Sequence, residues 1–428
     1  MTISLMQRFI DMDNKLINLL VFPLICIVFI LLHTNQNSSQ SMASFLLMLS
    51  PIVFLYPGAR QVIEYKELRI MFALIFTYFL YNFLILTQHS FNPLSLSYYR
   101  ALFFWLLLPF VLVFLFIKKP SIQSIALLFV FAAICSTYPI ITDHINGGSR
   151  GDSSMHSIFW GNISLCSAMI AFTLRKSFNN RYLHLISYIA LAFGLTASFW
   201  SLTRGGWVSI PLSLFCLFLC KGITKKHLAV FTALLILIIT TVPKVSDRIN
   251  VTFQSVNISW SGFSIALDNS TQVRLDMWET SAMLIKEHPI VGNGFSAYQD
   301  GVQKMLTDGV KLGGEKHYKM PHNEYIHILI NGGLVSLTLL ISILTILIKI
   351  FHGFISRSAF KTAGYLLVLQ FCIFSMSEIF FSTKLPIVYF CIASALIIYA
   401  GLTEKTSYLK TMQQIKDKEV SKSSASSL

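Results

Sequence analysis

The sequence predicts an all-α polytopic membrane protein with about twelve transmembrane helices and one large helical external loop. Of its 428 residues, 54% are apolar and only 12% are charged, against about 25% charged residues in an ordinary soluble protein. The mean hydropathy is +0.66. These values exclude a disordered chain, a fibrous chain and an ordinary cytosolic enzyme.

Twelve apolar segments have lengths close to the roughly 20 residues that cross a bilayer. The first segment follows Arg8 and Lys15, but no small-residue cleavage site comes after it, so we expect a retained membrane anchor. The twelve segments run over 16–33, 41–57, 69–87, 101–117, 121–142, 157–174, 183–203, 207–221, 227–243, 323–348, 362–382 and 385–402.

These segments divide the chain into four parts. Residues 1–243 hold nine spans, and 323–402 hold three more. Between them, 244–322 form a polar loop that is too long to be a simple connector. Residues 403–428 are rich in Lys and Ser, and we expect them to be a disordered tail.

Basic residues are distributed unevenly among the loops. An even number of spans places both termini on one side, where the short loops are rich in Lys and Arg. The short loops on the other side carry only Arg100, Arg150, Arg204 and Lys384. The positive-inside rule therefore predicts cytoplasmic termini and an external loop 244–322. The predicted cytoplasmic segments carry the whole formal net charge of +14, so this excess indicates topology and not nucleic-acid binding.

Cysteine and histidine predict no metal site. All 7 cysteines lie in apolar stretches, where we expect them to be small buried hydrophobic side chains. His322 and His327 are five positions apart, whereas a zinc metalloprotease helix needs a spacing of four. We therefore predict no metal, no disulfide framework and no cofactor.

Arg204 lies at the external boundary of the seventh span, in the segment 201–207, SLTRGGW. The two glycines allow one helix to end and the next to begin after a tight turn. The guanidinium is then presented at the depth of lipid head groups. The alternative is an interfacial anchor, with Trp207 in the aromatic belt of the membrane.

Arg274 lies in the first turn of a helix that the external loop is expected to form, with Asn269 or Ser270 as its N-cap. The N-terminal end of a helix favours an anion, and a guanidinium there binds phosphate through its planar fork. The alternative is an ion pair of Arg274 with Asp276 or Asp268.

His322 precedes the tenth span, in the segment 320–327, MPHNEYIH. Pro321 suits the first position of a helix, which places His322 in the first turn at the external surface. A helix N-terminus disfavours the imidazolium ion, so we expect a neutral His322, as a general base must be. The alternative is a capping or interfacial histidine.

Two further features are interpreted as structural, and the role of a third is left open. Residues 288–294, HPIVGNG, form a turn in which glycine permits positive φ. The segment 331–333, NGG, lies inside the tenth span and predicts a kink or close helix packing. Glu378 lies inside the eleventh span, where a carboxylate is a functional hypothesis by default, although a structural pair with Lys384 explains it equally well.

Arg204, Arg274 and His322 share the predicted external face. Two cations there suit the phosphates of a lipid head group, and a neutral histidine beside them suits the activation of a hydroxyl. Together they meet the needs of glycosyl transfer from a lipid pyrophosphate, in which the arginines offset the charge of the leaving group without a metal.

The arrangement resembles the O-antigen ligase superfamily, which includes O-antigen ligases, some O-antigen polymerases and protein O-oligosaccharyltransferases. The resemblance covers roughly residues 190–345 and the layout of twelve spans with one late external loop. The matching segments are TRGG at 203–206, RLDMW at 274–278, HPIVGNGF at 288–295, HNEY at 322–325 and GGL at 332–334.

The resemblance implies a GT-C-like membrane glycosyltransferase of the bacterial inner membrane that acts at the periplasmic face without a metal ion. It implies that Arg204 and Arg274 bind the pyrophosphate of an undecaprenyl pyrophosphate-linked O-antigen. It also implies that His322 deprotonates a sugar hydroxyl of lipid A–core, so that transfer inverts the anomeric carbon and completes lipopolysaccharide. The expected partners are these two lipids and the surrounding membrane. Arg100, Arg150 and His156 stay unassigned.

Two other functions remain open. An O-antigen polymerase would use the same donor with a second lipid-linked glycan as acceptor. A transporter of lipid-linked sugars is expected to have several ionisable residues deep in the membrane and often an internal repeat, whereas the sequence shows only Glu378 and no repeat. We therefore rank the ligase first.

Overall fold

The computed structural model describes residues 21–49, 62–88, 93–241, 243, 245–247, 269–308 and 319–425. Within these ranges the chain is helical and forms no strand, which confirms the all-α prediction. Two short 3-10 turns, Phe103–Leu106 and Arg175–Ser177, extend helices of the bundle. The α-helices are α1 (Val21–Leu31), α2 (Gln36–Met48), α3 (Lys66–Gln88), α4 (Pro93–Leu102), α5 (Leu107–Lys118), α6 (Ile122–Cys135), α7 (Tyr138–Asn146), α8 (Ser157–Leu174), α9 (Arg181–Trp200), α10 (Arg204–Trp207), α11 (Ser209–Leu219), α12 (Lys225–Thr241), α13 (Asn269–Glu287), α14 (Ala297–Thr307), α15 (Glu324–His352), α16 (Ala359–Phe374) and α17 (Lys384–Ala425).

Among the described residues, seven stretches are long and apolar enough to cross a membrane, which confirms a polytopic membrane protein. The ninth predicted span is α12, and the second begins within α2 and continues outside the described residues. The seven stretches are Lys66–Gln88, Leu96–Lys118, Ile122–Asn146, Ser157–Ser177, Arg181–Trp200, Glu324–His352 and Lys384–Asp417, and the shorter apolar helices Val21–Leu31, Arg204–Leu219 and Ala359–Phe374 match three more predicted spans.

Helices α8 and α17 form the centre of the bundle. In the most apolar stretch of α8, 89% of the residues are buried, and in that of α17, 94% are buried. In the corresponding stretches of α3 and α9, only 33% of the residues are buried. A helix that is apolar on all sides is expected at such a centre. The backbone of α9 approaches α8 closely because a side chain at Gly194 would overlap Ala168 and Ser164, as is typical of helix packing in membranes.

Loops that the sequence predicts on the cytoplasmic side lie together at one end of the bundle. Nη2 of Arg175 donates to the Gly222 carbonyl at 3.1 Å, and Nζ of Lys176 donates to the Lys221 carbonyl at 2.9 Å. The assignment of this end to the cytoplasm stays a prediction.

The last helix differs from the prediction. Residues after 403, expected to be a disordered tail, continue α17 without a break as far as Ala425. This stretch contains no glycine or proline, and most of its Lys, Glu, Gln, Leu and Met residues favour helix. Nε2 of Gln413 also donates to Oδ1 of Asp417 one turn later, at 2.8 Å, a spacing that supports a solvated helix.

Candidate active site

His322 lies just before α15 and not in its first turn. The Asn323 side chain accepts hydrogen bonds from the backbone N–H groups of Tyr325 and Ile326, so Asn323 is the N-cap and α15 begins at Glu324. This corrects the expectation that Pro321 opens the helix, because a carboxamide satisfies the exposed N–H groups that proline cannot serve. His322 has a left-handed backbone, with φ of 47°, and such conformations cluster at functional sites.

Glu378 lies after the eleventh span and not inside it, because α16 ends at Phe374. It is the partner of His322. Nδ1 of His322 lies 2.8 Å from Oε2 of Glu378, and the two side chains are 27% and 3% exposed. Oε1 of Glu378 accepts the backbone N–H of Ile379 at 3.1 Å. Burial raises the pKa of the Glu378 carboxyl, but these hydrogen bonds and the nearby imidazole outweigh burial and leave that pKa below its ordinary value. The carboxylate therefore pairs with His322 and not with Lys384, the partner that the sequence had left open.

Residues 322–325 clamp the segment that carries Glu378, which we name the Glu378 loop (375–383). The Asn323 amide donates to the Met376 carbonyl at 3.2 Å, and the Tyr325 hydroxyl donates to the Cys372 carbonyl at 2.8 Å. All four residues of the HNEY motif thus bind either this loop or the last turn of the helix before it.

Glu324 holds both ends of the Glu378 loop. Its backbone N–H donates to the Ser375 carbonyl at 2.8 Å. Its carboxylate accepts the Phe381 N–H at 2.7 Å and the Ser382 hydroxyl at 2.5 Å. Glu324 is fully buried, and a buried carboxylate is stable only with such partners. The loop is therefore fixed on either side of Glu378.

Arg204 begins α10, on a turn that packs against the Glu378 loop. A side chain at Gly205 would overlap Ser377, and one at Gly206 would overlap the Asn162 amide of α8. The two glycines therefore serve close packing, while the left-handed residue of the turn is Leu202, with φ of 55°. Arg204 itself is partly exposed and lies one residue from the contact with Ser377.

Arg274 lies in the second turn of α13 and not in its first, because the helix already includes Asn269 and Ser270, the two proposed N-caps. Helix α13 is joined to the residue before His322. The indole Nε1 of Trp278 donates to the Pro321 carbonyl at 3.0 Å. Residues four apart share one side of a helix, so Arg274 lies one turn from this bond on the same side of α13. The arginine is partly exposed.

The turn at 288–294 fixes α13 on the kink of α15. Inside α15, Gly333 departs from helical geometry with φ of 61°, which confirms the predicted kink. The opened helix bonds to the turn instead, since Asn293 N–H donates to the Ile330 carbonyl at 2.6 Å and Leu334 N–H donates to the Pro289 carbonyl at 2.9 Å. A side chain at Gly292 would overlap the α15 backbone. The turn thus sets where Arg274 stands relative to His322.

The structure also brings two unassigned residues to this end of the bundle. Nε of Arg150 donates to the Ser201 carbonyl at 3.0 Å, at the start of the Arg204 turn. Partial burial lowers the pKa of His156; the Glu378 carboxylate raises it, and His322 and Arg150 lower it. His156 therefore shares one electrostatic environment with the pair of His322 and Glu378. Arg100 is exposed in the last turn of α4 and has no part in these contacts.

Within the described ranges, no group of three or more His, Cys, Asp or Glu residues is arranged to hold a metal ion. The site offers a histidine bonded to a carboxylate, with the Arg204 turn packed against the Glu378 loop and the helix of Arg274 bonded to Pro321. Such an arrangement can accept a proton from a hydroxyl and stabilise an anion.

Comparison with known proteins gives two findings. A protein of Haemophilus influenzae described as uncharacterized is 29% identical over 208 residues, which cover 46% of this chain and 51% of that protein. The chain thus spans about half the length of this relative. Residues 189–341 match the family described as O-antigen ligase, and they include Arg204, Arg274 and His322. This match supports the resemblance of the chain to the O-antigen ligase superfamily.

Proposed function

We propose that this protein transfers an O-antigen glycan from undecaprenyl pyrophosphate to a sugar hydroxyl of lipid A–core at the periplasmic face of the bacterial inner membrane. The match of residues 189–341 to the O-antigen ligase family supports a ligase or a related polymerase. The observation that carries the proposal is the hydrogen bond between His322 and Glu378.

His322 acts as the general base. A carboxylate at Nδ1 favours the tautomer that holds its proton there and presents a lone pair at Nε2. Nε2 takes the proton of the acceptor hydroxyl as its oxygen attacks the anomeric carbon of the donor sugar. Glu378 then stabilises the imidazolium ion that forms, as the acidic member of a catalytic triad does.

Arg204 and Arg274 receive the leaving group. As the new glycosidic bond forms, the bond from the anomeric carbon to the pyrophosphate oxygen breaks, and its electron pair leaves with that oxygen. Guanidinium groups bind phosphate oxygens with two parallel hydrogen bonds, and they stabilise charge as it develops. Attack from the face opposite the pyrophosphate inverts the anomeric configuration.

Deletion of the gene tests the substrate assignment. Lipopolysaccharide from the deletion strain should run on a gel as bare lipid A–core, while long lipid-linked polymer accumulates. Core that carries a single repeat would instead identify an O-antigen polymerase. Unchanged long capped chains would contradict both functions.

Purified variants test the mechanism with the two lipid substrates. His322→Ala should lower the rate of transfer by about 10²-fold or more, since a general base contributes 10²- to 10⁴-fold. Arg204→Ala and Arg274→Ala should act through the donor pyrophosphate. His144→Ala is the matched control, because His144 is an exposed histidine at the end of α7. Near-normal transfer by His322→Ala would remove His322 as the base.

Metal independence stays a prediction that the same assay tests. Transfer should continue in a chelator. Activity that disappears with the chelator and returns with a divalent ion would contradict the mechanism.

A further inference from the structure

A polar cleft of about 600 Å³ opens beside the candidate active site. It lies between the start of α2 and the segment 147–156, which we name the Arg150 loop. The side chains that line it are mainly amides and hydroxyls, with one carboxylate and one guanidinium among them; they include Gln36, Asn37, Arg150, Asp152, Ser153 and His156.

The wall of the cleft is built by a buried carboxylate beneath the Arg150 loop. Asp143 is 1% exposed and accepts hydrogen bonds from the backbone N–H of Gly151 and from the backbone and hydroxyl of Ser153. It also accepts the indole N–H of Trp200 at 3.1 Å. Four donors on one carboxylate hold the loop in a defined shape and fasten it to the end of α9.

The opposite wall presents amide groups. Gln36 joins the two walls, since its N–H donates to the Ser154 carbonyl at 3.2 Å and its Oε1 accepts the His156 N–H at 2.9 Å. The oxygen of this amide already accepts one bond from the protein, and its N–H₂ group can donate to a ligand. Asn37, the next residue, is exposed on the same wall.

Aromatic contacts connect the cleft to the Glu378 loop. The ring of His156 lies 4.5 Å from that of Phe159, which meets Phe380 edge-to-face at 5.3 Å. Phe380 is two residues from Glu378. From the same cleft, Arg150 bonds to the turn that carries Arg204. A molecule in the cleft would therefore lie close to the pair of His322 and Glu378. It would also lie close to the turn that carries Arg204, one of the proposed pyrophosphate-binding residues.

The chemistry of the lining suits a saccharide. Sugar hydroxyls donate and accept hydrogen bonds, and they are recognised by amides, hydroxyls and single carboxylates placed around a shaped cavity. A site for phosphate alone would need cations in excess, whereas here Asp152 balances Arg150. We propose that this cleft is a saccharide subsite that holds a glycan of one of the two substrates during transfer. This inference rests on the proposed function and adds the location of a sugar.

A blocking variant tests the subsite directly. Asn37→Trp would fill the cleft, and Asn146→Trp, at the exposed end of α7 outside the lining, is the matched control. Saturation-transfer NMR on the purified full chain would use two probes: deacylated core oligosaccharide, and O-polysaccharide released from its lipid. Loss of signal with Asn37→Trp for the core probe alone identifies the acceptor glycan, and loss for the released polysaccharide alone identifies the donor glycan.

Transfer kinetics give the second readout. Asn37→Trp, and the milder Asp152→Ala, should raise the KM of the substrate identified by NMR about tenfold and leave the KM of the other nearly unchanged. If neither probe signal nor either KM differs between Asn37→Trp and Asn146→Trp, the cleft holds no substrate sugar. If the wild type performs no transfer, the proposed function fails, and the binding measurements alone decide the subsite. Thermal denaturation of each variant identifies any that fail to fold.

Discussion

The Glu378 loop and the Arg150 loop both border the candidate active site, but they are held in different ways. The Glu378 loop is enclosed: Glu378 and Phe380 are buried, and Glu324 bonds to both of its ends. The Arg150 loop is bonded to Asp143 on one side, and on its other side, which opens onto the cleft, Gln36 bonds to Ser154 and His156.

The difference matches what each segment would do under the proposed function. A group that orients a general base must keep its geometry within fractions of an ångström, and burial with backbone hydrogen bonds provides this. A surface that binds a large glycan needs exposed donors and acceptors on a fixed support. The enclosed loop should therefore control the rate of the chemical step, and the open loop should control substrate affinity.

The largest expected effect is on the enclosed loop. Glu378→Gln keeps the size of the side chain but replaces the acceptor of the Nδ1 proton with a neutral amide that stabilises neither the tautomer nor the imidazolium ion. We expect kcat to fall about 10²-fold or more, with the KM of both substrates nearly unchanged. Steady-state kinetics of the purified variant measure both values. A change in KM alone would mean that Glu378 serves binding and not the base.

The second-largest effect is expected at the contact between the Arg204 turn and the enclosed Glu378 loop. Gly205→Ala places a methyl group against Ser377 and should push Arg204 away from the site, lowering transfer roughly tenfold. Ser377→Gly in the same chain removes the overlapping atoms and should restore most of the activity. If the double variant is no better than Gly205→Ala, the contact does not position Arg204.

A smaller effect is expected on the open loop. Asp143→Asn replaces one oxygen with a donor, which cannot accept the bonds of Gly151 or Trp200. We expect a looser Arg150 loop and a rise of about threefold to tenfold in the KM of the substrate whose sugar occupies the cleft. A loss of kcat with unchanged KM would place this loop in the chemical step and break the distinction between the two loops.

The smallest effect concerns pH and stability. Because the pKa of Glu378 is lowered in the folded protein, its stabilising contribution is complete above the ordinary carboxyl pKa and is lost as the pH falls through the lowered value. Thermal denaturation of the wild type and Glu378→Gln across acidic pH should show the difference between them shrinking as the pH falls. A difference that stays constant with pH would contradict this pairing.

The sequence predicts the helices well because membrane helices are marked by long apolar runs. It also selects Arg204, Arg274 and His322 as candidates, since each stands in a short local motif, and their roles stay predictions. The contacts that the sequence does not predict are those between residues far apart along the chain. Glu378 was noticed as an intramembrane carboxylate, but the nearby Lys384 competed as its partner, whereas His322 is 56 positions away.

The other differences between prediction and structure arise where the local sequence suits more than one conformation or carries no motif. At the start of α15, proline and asparagine both suit a helix end, and only the folded chain shows that Asn323 caps it. Arg150 and His156 carry no motif, so their place beside the site follows from the packing of α8 and α9 and from Asp143. In α17, composition suggested disorder beyond residue 403, but the preceding helix provides the nucleus that makes continuation favourable.

The kink at Gly333 limits which segments of this protein can be exchanged independently of each other. Membrane-embedded backbone groups must be satisfied within the protein, and those freed at the kink bond to the turn at 288–294. The turn at 288–294 and helix α15 therefore share one set of hydrogen bonds and are not separate modules. A chimera that exchanges external loops between relatives should remain assembled only if 288–294 and 330–335 are exchanged together.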